Sequence, residues 1–311
     1  MITKRVRGAI AIVAVAALLV GAGSAQAATF NSSTPIAMSG VLQGAANPYP
    51  STIAVSGLAE IADVNVTLHK FSQASPKAVD VLLVSPEGRS VVLMSDLPGG
   101  TSGSPACGAV SNLELAFNDA APGPIPSGTP LTSGTYQPLD NDTATCGTPQ
   151  TADNYPNPAD DPPNGTKLAD FNGSNPLGDW QLFVNDSQDG APGSISSWSL
   201  DIKTSNNFSF GKLKKNKKKG TAKLTVDVPG PGTVSLAGKG VKAQRPRSGE
   251  RITAAKAVTE AGTVTFPIKA KGKKKSKLQS TGKVKLKVKV TYTPSGGAAD
   301  TETKPVKLID N

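Results

Sequence analysis

Lys283-Val284-Lys285-Leu286-Lys287-Val288-Lys289-Val290-Thr291-Tyr292 alternates without a break between polar side chains, four of them lysines, and apolar ones. A period of two puts every second side chain on one face. The stretch therefore predicts a strand with valines and leucine toward a core and four lysines toward solvent. Similar but shorter patterns surround it. Thr263-Val264-Thr265-Phe266-Pro267-Ile268 reads as another strand, and Lys304-Pro305-Val306-Lys307-Leu308 as one that closes the sheet. Lys223 to Val228, Pro229-Gly230-Pro231-Gly232 and Thr233 to Leu236 read as strand, turn and returning strand, a hairpin. Stripes with the 3.6-residue helical period are missing, while 32 Gly and 25 Pro punctuate the chain. The fold class expected is all-β.

The same region carries an extreme charge. Residues 206–311 hold 25 Lys/Arg against 6 Asp/Glu, whereas residues 28–205 hold 5 against 17. A break from −12 to +19 within a chain of net +10 marks a boundary near Ser205. About seven short strands after it suit a small immunoglobulin-like sandwich. Two clusters of lysine read as loops: Lys212, Lys214, Lys215, Lys217, Lys218 and Lys219, then Lys271, Lys273, Lys274, Lys275 and Lys277. Such clusters attract polyanions such as teichoic acid, anionic headgroups or extracellular nucleic acid. They also serve solubility, and lysines on edge strands discourage sheet-to-sheet aggregation. Only Phe208, Phe210, Phe266 and Tyr292 are aromatic here, too few for base stacking, so no specific nucleic-acid partner is expected. In texture the region resembles the lysine-rich Ig-like or fibronectin-like modules of secreted actinobacterial proteins.

The acidic region also reads as strands. Ile61, Val64, Val66 and Leu68 share one stretch. Val79 to Val84, the turn Ser85-Pro86-Glu87-Gly88 and Ser90 to Met94 predict a hairpin in a core. Trp180 to Val184 and Trp198 to Ile202 alternate, and residues 147–168, with four prolines, read as a long surface loop.

Asp170-Phe171-Asn172-Gly173, Gly178-Asp179-Trp180-Gln181-Leu182, Val184-Asn185-Asp186 and Gly193 to Leu200 with Trp198-Ser199-Leu200 follow one another as at the end of a P domain. Ile61 to His69, Asp80 to Gly88, Phe117-Asn118-Asp119-Ala120-Ala121 and Leu131 to Pro138 resemble its earlier segments. The region from Ser51 to Lys203 thus resembles the P/Homo B domain of kexin- and furin-like proprotein convertases and bacterial subtilisin-type proteases. The resemblance implies a jelly-roll β-sandwich of about eight strands, similar to galactose-binding domains, which supports a protease without being catalytic. It also implies that Asp119, Asp170, Asp186 and Asp189 lie near one another, an oxygen set suited to Ca²⁺ as cofactor. Ala191 stands where many members carry a further Asp. Capping of turns by these Asp residues is the alternative.

No catalytic machinery is expected. The chain has one histidine, His69, expected to be structural, and no Gly-x-Ser-x-Gly elbow. The stretch before Ser51 is too short for the subtilisin-like domain that precedes a P domain.

Residues 1–27 have the order of a secretory signal peptide: Lys4, Arg5 and Arg7, an apolar run from Ala9 to Val20, then Ala25-Gln26-Ala27. Secretion makes a disulfide between Cys107 and Cys146 the expected state, contributing roughly 4 kcal/mol by chain entropy. No transmembrane segment is expected after cleavage. The expected role is binding at the cell wall or another anionic surface polymer. The alternatives are an accessory to a separate subtilisin-like protease, or a structural role in which the oppositely charged halves pack together.

Overall fold

The computed structural model describes residues 27–41, 43–97, 108–126, 129–141, 155–159, 165–187, 191–242 and 254–310. The predicted signal peptide up to Gln26, together with Cys107, Cys146 and Asp189, lies outside the described residues.

The described strands before Ser205 are β1 (Ala28–Ser32), β2 (Ile36–Met38), β3 (Gly44–Ala45), β4 (Ser51–Val55), β5 (Ile61–Gln73), β6 (Val79–Val84), β7 (Ser90–Met94), β8 (Val110–Phe117), β9 (Gly134–Tyr136), β10 (Gly178–Asp186), β11 (Gly193–Ile195) and β12 (Ser197–Thr204). They form a seven-stranded sheet centred on β5 and a five-stranded sheet centred on β10. The predicted hairpin forms, with Leu83 opposite Val91 and Val84 opposite Ser90. Between the sheets lies one core containing Val66, Leu68, Phe71, Leu83, Leu115, Phe117, Trp180, Leu182, Trp198 and Leu200. Both indoles are fully buried, so each needs a partner for its N–H. Trp180 Nε1 donates to Pro176 O at 3.0 Å and Trp198 Nε1 to Ser51 Oγ at 2.9 Å. Phe171 meets Trp180 edge to face, with ring centroids 5.0 Å apart.

About eight strands were expected here and twelve form. The surplus includes β2, β3, β9 and β11, of two or three residues each, too short to leave a period in the sequence.

After Ser205 come β13 (Ser209–Asn216), β14 (Thr221–Val228), β15 (Gly232–Ala237), β16 (Ala254–Val258), β17 (Gly262–Lys269), helix α1 (Lys273–Thr281), β18 (Lys283–Pro294) and β19 (Asp300–Ile309). A three-stranded sheet β13-β14-β17 faces a four-stranded sheet β16-β15-β18-β19. Their shared core includes Leu224, Val226, Val234, Phe266, Ile268, Leu286, Val288, Val290, Tyr292 and Leu308. The opening decapeptide forms β18 as expected, its valines and leucine buried and its four lysines exposed.

Two expectations fail. Residues 223–236 are not a hairpin, because β14 pairs with β13 and β17 while β15 pairs with β16 and β18. Pro229 and Pro231 cannot donate to a ladder, so the Pro-Gly-Pro-Gly stretch carries the chain from one sheet to the other. Tyr292 Oη holds it there, donating to Gly230 O at 2.9 Å and lying 3.2 Å from Pro231 O. Nor are the lysine clusters loops. Lys273 to Lys277 belong to α1, Lys214 and Lys215 to β13, and Lys217 to Lys219 to a one-turn 3₁₀ helix. Leu278 is the sole buried side chain of α1, which explains why no apolar stripe announced a helix.

No described strand pairing crosses Ser205, and glycines bring the two halves into close contact. Thr204 N–H donates to Gly296 O and its hydroxyl to Ser295 O. Gly230 lies against Ala59, and Gly296 faces Leu58 and Ala28. Both ion pairs among the described residues, His69–Glu114 and Lys203–Asp63, lie before Ser205, so the opposed charges do not pair across the contact.

Candidate functional site: a lysine track and groove

β18 and α1 together build a strongly cationic feature. Along β18, Lys283, Lys285, Lys287 and Lys289 all project to solvent. On β19, Lys307 stands directly opposite Lys285. Across the outer face of this sheet the remaining positions are Thr, Ser, Ala, Pro and Ile, without a carboxylate. α1 runs beside the Lys283 end and adds Lys274 and Lys277. Lys274 Nζ donates to Lys285 O at 3.3 Å, which fixes one ammonium above the strand. A groove of about 500 Å³ results, lined by Lys274, Lys277, Thr281, Lys283, Val284, Lys285 and Lys307. None of these five lysines has an acidic partner within ion-pair distance among the described residues.

The backbone after the first sequence cluster reaches α1 at this end. Gly220, with φ of 56°, ends the turn Lys217–Lys219, and a Cβ placed on it would stand 2.8 Å from Leu278 Cδ2. The same Cβ would stand 3.2 Å from Asp310 Oδ2, so the backbone that follows Lys217–Lys219 packs on Leu278 of α1 beside a carboxylate. Lys214 and Lys215 of β13 are exposed. From the two clusters, sequence reading takes Lys214, Lys215, Lys217, Lys218, Lys219, Lys273, Lys274 and Lys275 as the polyanion site. Of these Lys274 lines the groove, and Lys277, Lys283, Lys285 and Lys307 are not included. The unbroken Lys-Val alternation of β18 was the available signal for the track.

Three of the four proposed calcium carboxylates are described, and each accepts hydrogen bonds within the chain. Asp119 accepts from the N–H groups of Leu168 and Ala169, at 3.1 and 2.7 Å, and so caps the one-turn helix Leu168–Phe171. Asp170 Oδ2 accepts from Thr166 and Lys167 N–H at 2.9 and 3.0 Å. Asp186 is buried at the end of β10 and accepts from Gln73 Nε2 at 3.1 Å. The Asx-capping alternative thus describes Asp119 and Asp170. Among the described residues no three His, Cys, Asp or Glu side chains gather closely enough to hold a metal ion.

One arrangement was not anticipated. His69 Nδ1 lies 2.6 Å from Glu114 Oε2, and its Nε2 lies 3.0 Å from Ser199 Oγ. β12, β5 and β8 are adjacent strands, so the three side chains cross the outer face of the larger sheet in a row. Nothing in the sequence links residues 69, 114 and 199, because only the strand order places them together. Glu114 is subject to a desolvation that raises its carboxyl, but hydrogen bonds from His69 and the Lys70 N–H prevail and hold it below 4.5. The order of groups is that of a nucleophilic triad. Ser199, however, is 5% exposed, and strands flank it on both sides, so the ladder takes the N–H groups that would hold an oxyanion. What the row does is clip three strands.

Among the described residues no helix is long and apolar enough to cross a membrane. No protein-family model matches the chain, and no curated protein matches it.

Proposed function

We propose that this is a secreted, non-catalytic binding protein that attaches to an anionic polymer at the cell surface. On this reading residues 28–205 are a P-domain-like sandwich, residues 206–311 an Ig-like sandwich, and the second holds the molecule to the surface. The observation that carries it is the carboxylate-free lysine face and groove of β18, β19 and α1. Ordinary lysine-rich surfaces intersperse both signs, which limits repulsion and binding alike. A face with one sign only raises the local concentration of polyanions and speeds their capture.

The test is retention of the mature full-length chain on immobilised anionic polymer, with a neutral polysaccharide alongside. Retention on the anionic polymer that declines as salt rises supports the reading; equal retention on the neutral one overturns it. A second reading, in which the first sandwich docks on a separately encoded subtilisin-like protease, rests on the motif resemblance between Ser51 and Lys203. Co-purification of such a protease, with stabilisation of its activity, is the outcome that favours it.

A further inference from the structure

We infer that the outer face of β18 and β19 is a track for a linear, base-free phosphodiester polymer, which runs along the lysine ladder into the groove beneath α1. The inference rests on the reading of an anionic-polymer binder and narrows it to one ligand chemistry. Spacing is the first reason. Successive lysines of the ladder are two residues apart on an extended strand, about 6.8 Å. A phosphodiester repeat with a three-carbon spacer has six backbone bonds between phosphorus atoms. An extended chain advances about 3.5 Å per three bonds, so such a repeat advances about 7 Å. One phosphate therefore meets one ammonium at each step without strain in either partner.

Charge is the second reason. Lys285 faces Lys307 across the pair of strands, an arrangement that costs stability in the free protein. The groove gathers three more ammoniums at the same end, from Lys274, Lys277 and Lys283. A row of phosphates would relieve this repulsion, whereas an isolated phosphate would relieve only one contact.

The absence of a stacking surface decides against nucleic acid. Phe208, Phe266 and Tyr292 are buried in the core, and Phe210 lies under Lys304, whose Nζ is 4.8 Å from the ring centroid. The outer face offers bases no aromatic platform, which single-strand binders use for much of their affinity. Poly(glycerol phosphate) is the probe that matches the track.

The experiment titrates the mature full-length chain with glycerol-phosphate oligomers of increasing length and with inorganic phosphate. Single-stranded DNA with the same number of phosphates and vesicles containing phosphatidylglycerol serve as competing ligands. Lys285→Gln/Lys287→Gln is compared with the charge-matched Lys223→Gln/Lys269→Gln, whose lysines lie on the opposite sheet; circular dichroism establishes that both fold. Affinity is expected to rise with oligomer length up to four or five repeats, and inorganic phosphate to bind far more weakly. The ladder variant should lose about tenfold or more, and its slope of log K against log salt should fall by about 1.4, the value for two lost contacts to a single strand. Equal losses in both double variants would overturn the track while leaving the anionic-polymer reading standing. Tighter binding to DNA or vesicles overturns the ligand assignment. No binding to any polyanion removes both.

Discussion

Gly230, in the crossover between the basic sheets, lies so close to Ala59, just before β5, that a methyl group on Gly230 would collide with the Ala59 Cα and Cβ. The contact joins the acidic and basic halves through two of the smallest residues. Gly230→Ala should therefore destabilise the chain by roughly 1–3 kcal/mol, the usual cost of overpacking. Ala59→Gly in the same chain should restore only part of the loss, since the Ala59 Cα would still lie 2.6 Å from the added methyl. Denaturant midpoints of the single and double variants measure this coupling.

The row from Glu114 through His69 to Ser199 predicts a response to acid. Glu114 has its carboxyl lowered in the folded state, so the stabilisation is present above its ordinary value of 4.5 and is lost as pH falls through the lower folded value. Glu114→Gln should remove this component and flatten the melting temperature against pH below 4.5. Melting scans of both proteins between pH 3 and pH 6, about the range in which a carboxyl titrates, check it.

Tyr292 is fully buried, and burial pushes its hydroxyl up to about 12. A raised value in the folded state means that its stabilisation holds below pH 10, the ordinary value, and is lost as pH rises through 12. Tyr292→Phe takes the hydroxyl donor from Gly230 O, while Pro231 O still accepts from the Ser295 N–H at 2.9 Å. It should cost about 1 kcal/mol at neutral pH. Absorbance titration should show the parent losing, on Tyr292→Phe, one ionisation near pH 12.

Lys285 and Lys307 repel each other across β18 and β19 with no carboxylate to screen them. Lys285→Gln should raise the melting temperature at low salt, and added salt should erase the difference. A variant less stable than its parent at low salt would show that the aliphatic stem of Lys285 contributes more than its charge costs.

Strand identity was readable wherever one face is dry and the other wet, as in β18, where period two runs for ten residues. β6 and β7 were readable too, because a Pro-Gly turn separates two apolar runs. Pairing was not readable. Pro229 to Gly232 has the composition of a turn, and only the partners of β14 and β15 reveal that the chain changes sheets there. α1 was hidden by having one buried residue, Leu278, among lysines. The site was half legible for the same reasons. A ladder within one strand shows in its own spacing, whereas Lys277 and Lys307 join it only through the packing of α1 and the register of β19. The His69 row spans three strands, and no local rule connects its members.

The halves also meet without exchanging charge. Residues 28–205 carry −12 and residues 206–311 carry +19, and neither ion pair among the described residues crosses between them. Such a body is a permanent electric dipole. Near a negatively charged wall it experiences a torque before it makes any contact, and that torque turns the lysine face inward and the acidic sandwich outward. Orientation is therefore decided during approach, over roughly the 10 Å that a field persists in 0.1 M salt. On the proposed surface-binding reading, the acidic sandwich would stand on the side turned away from the wall.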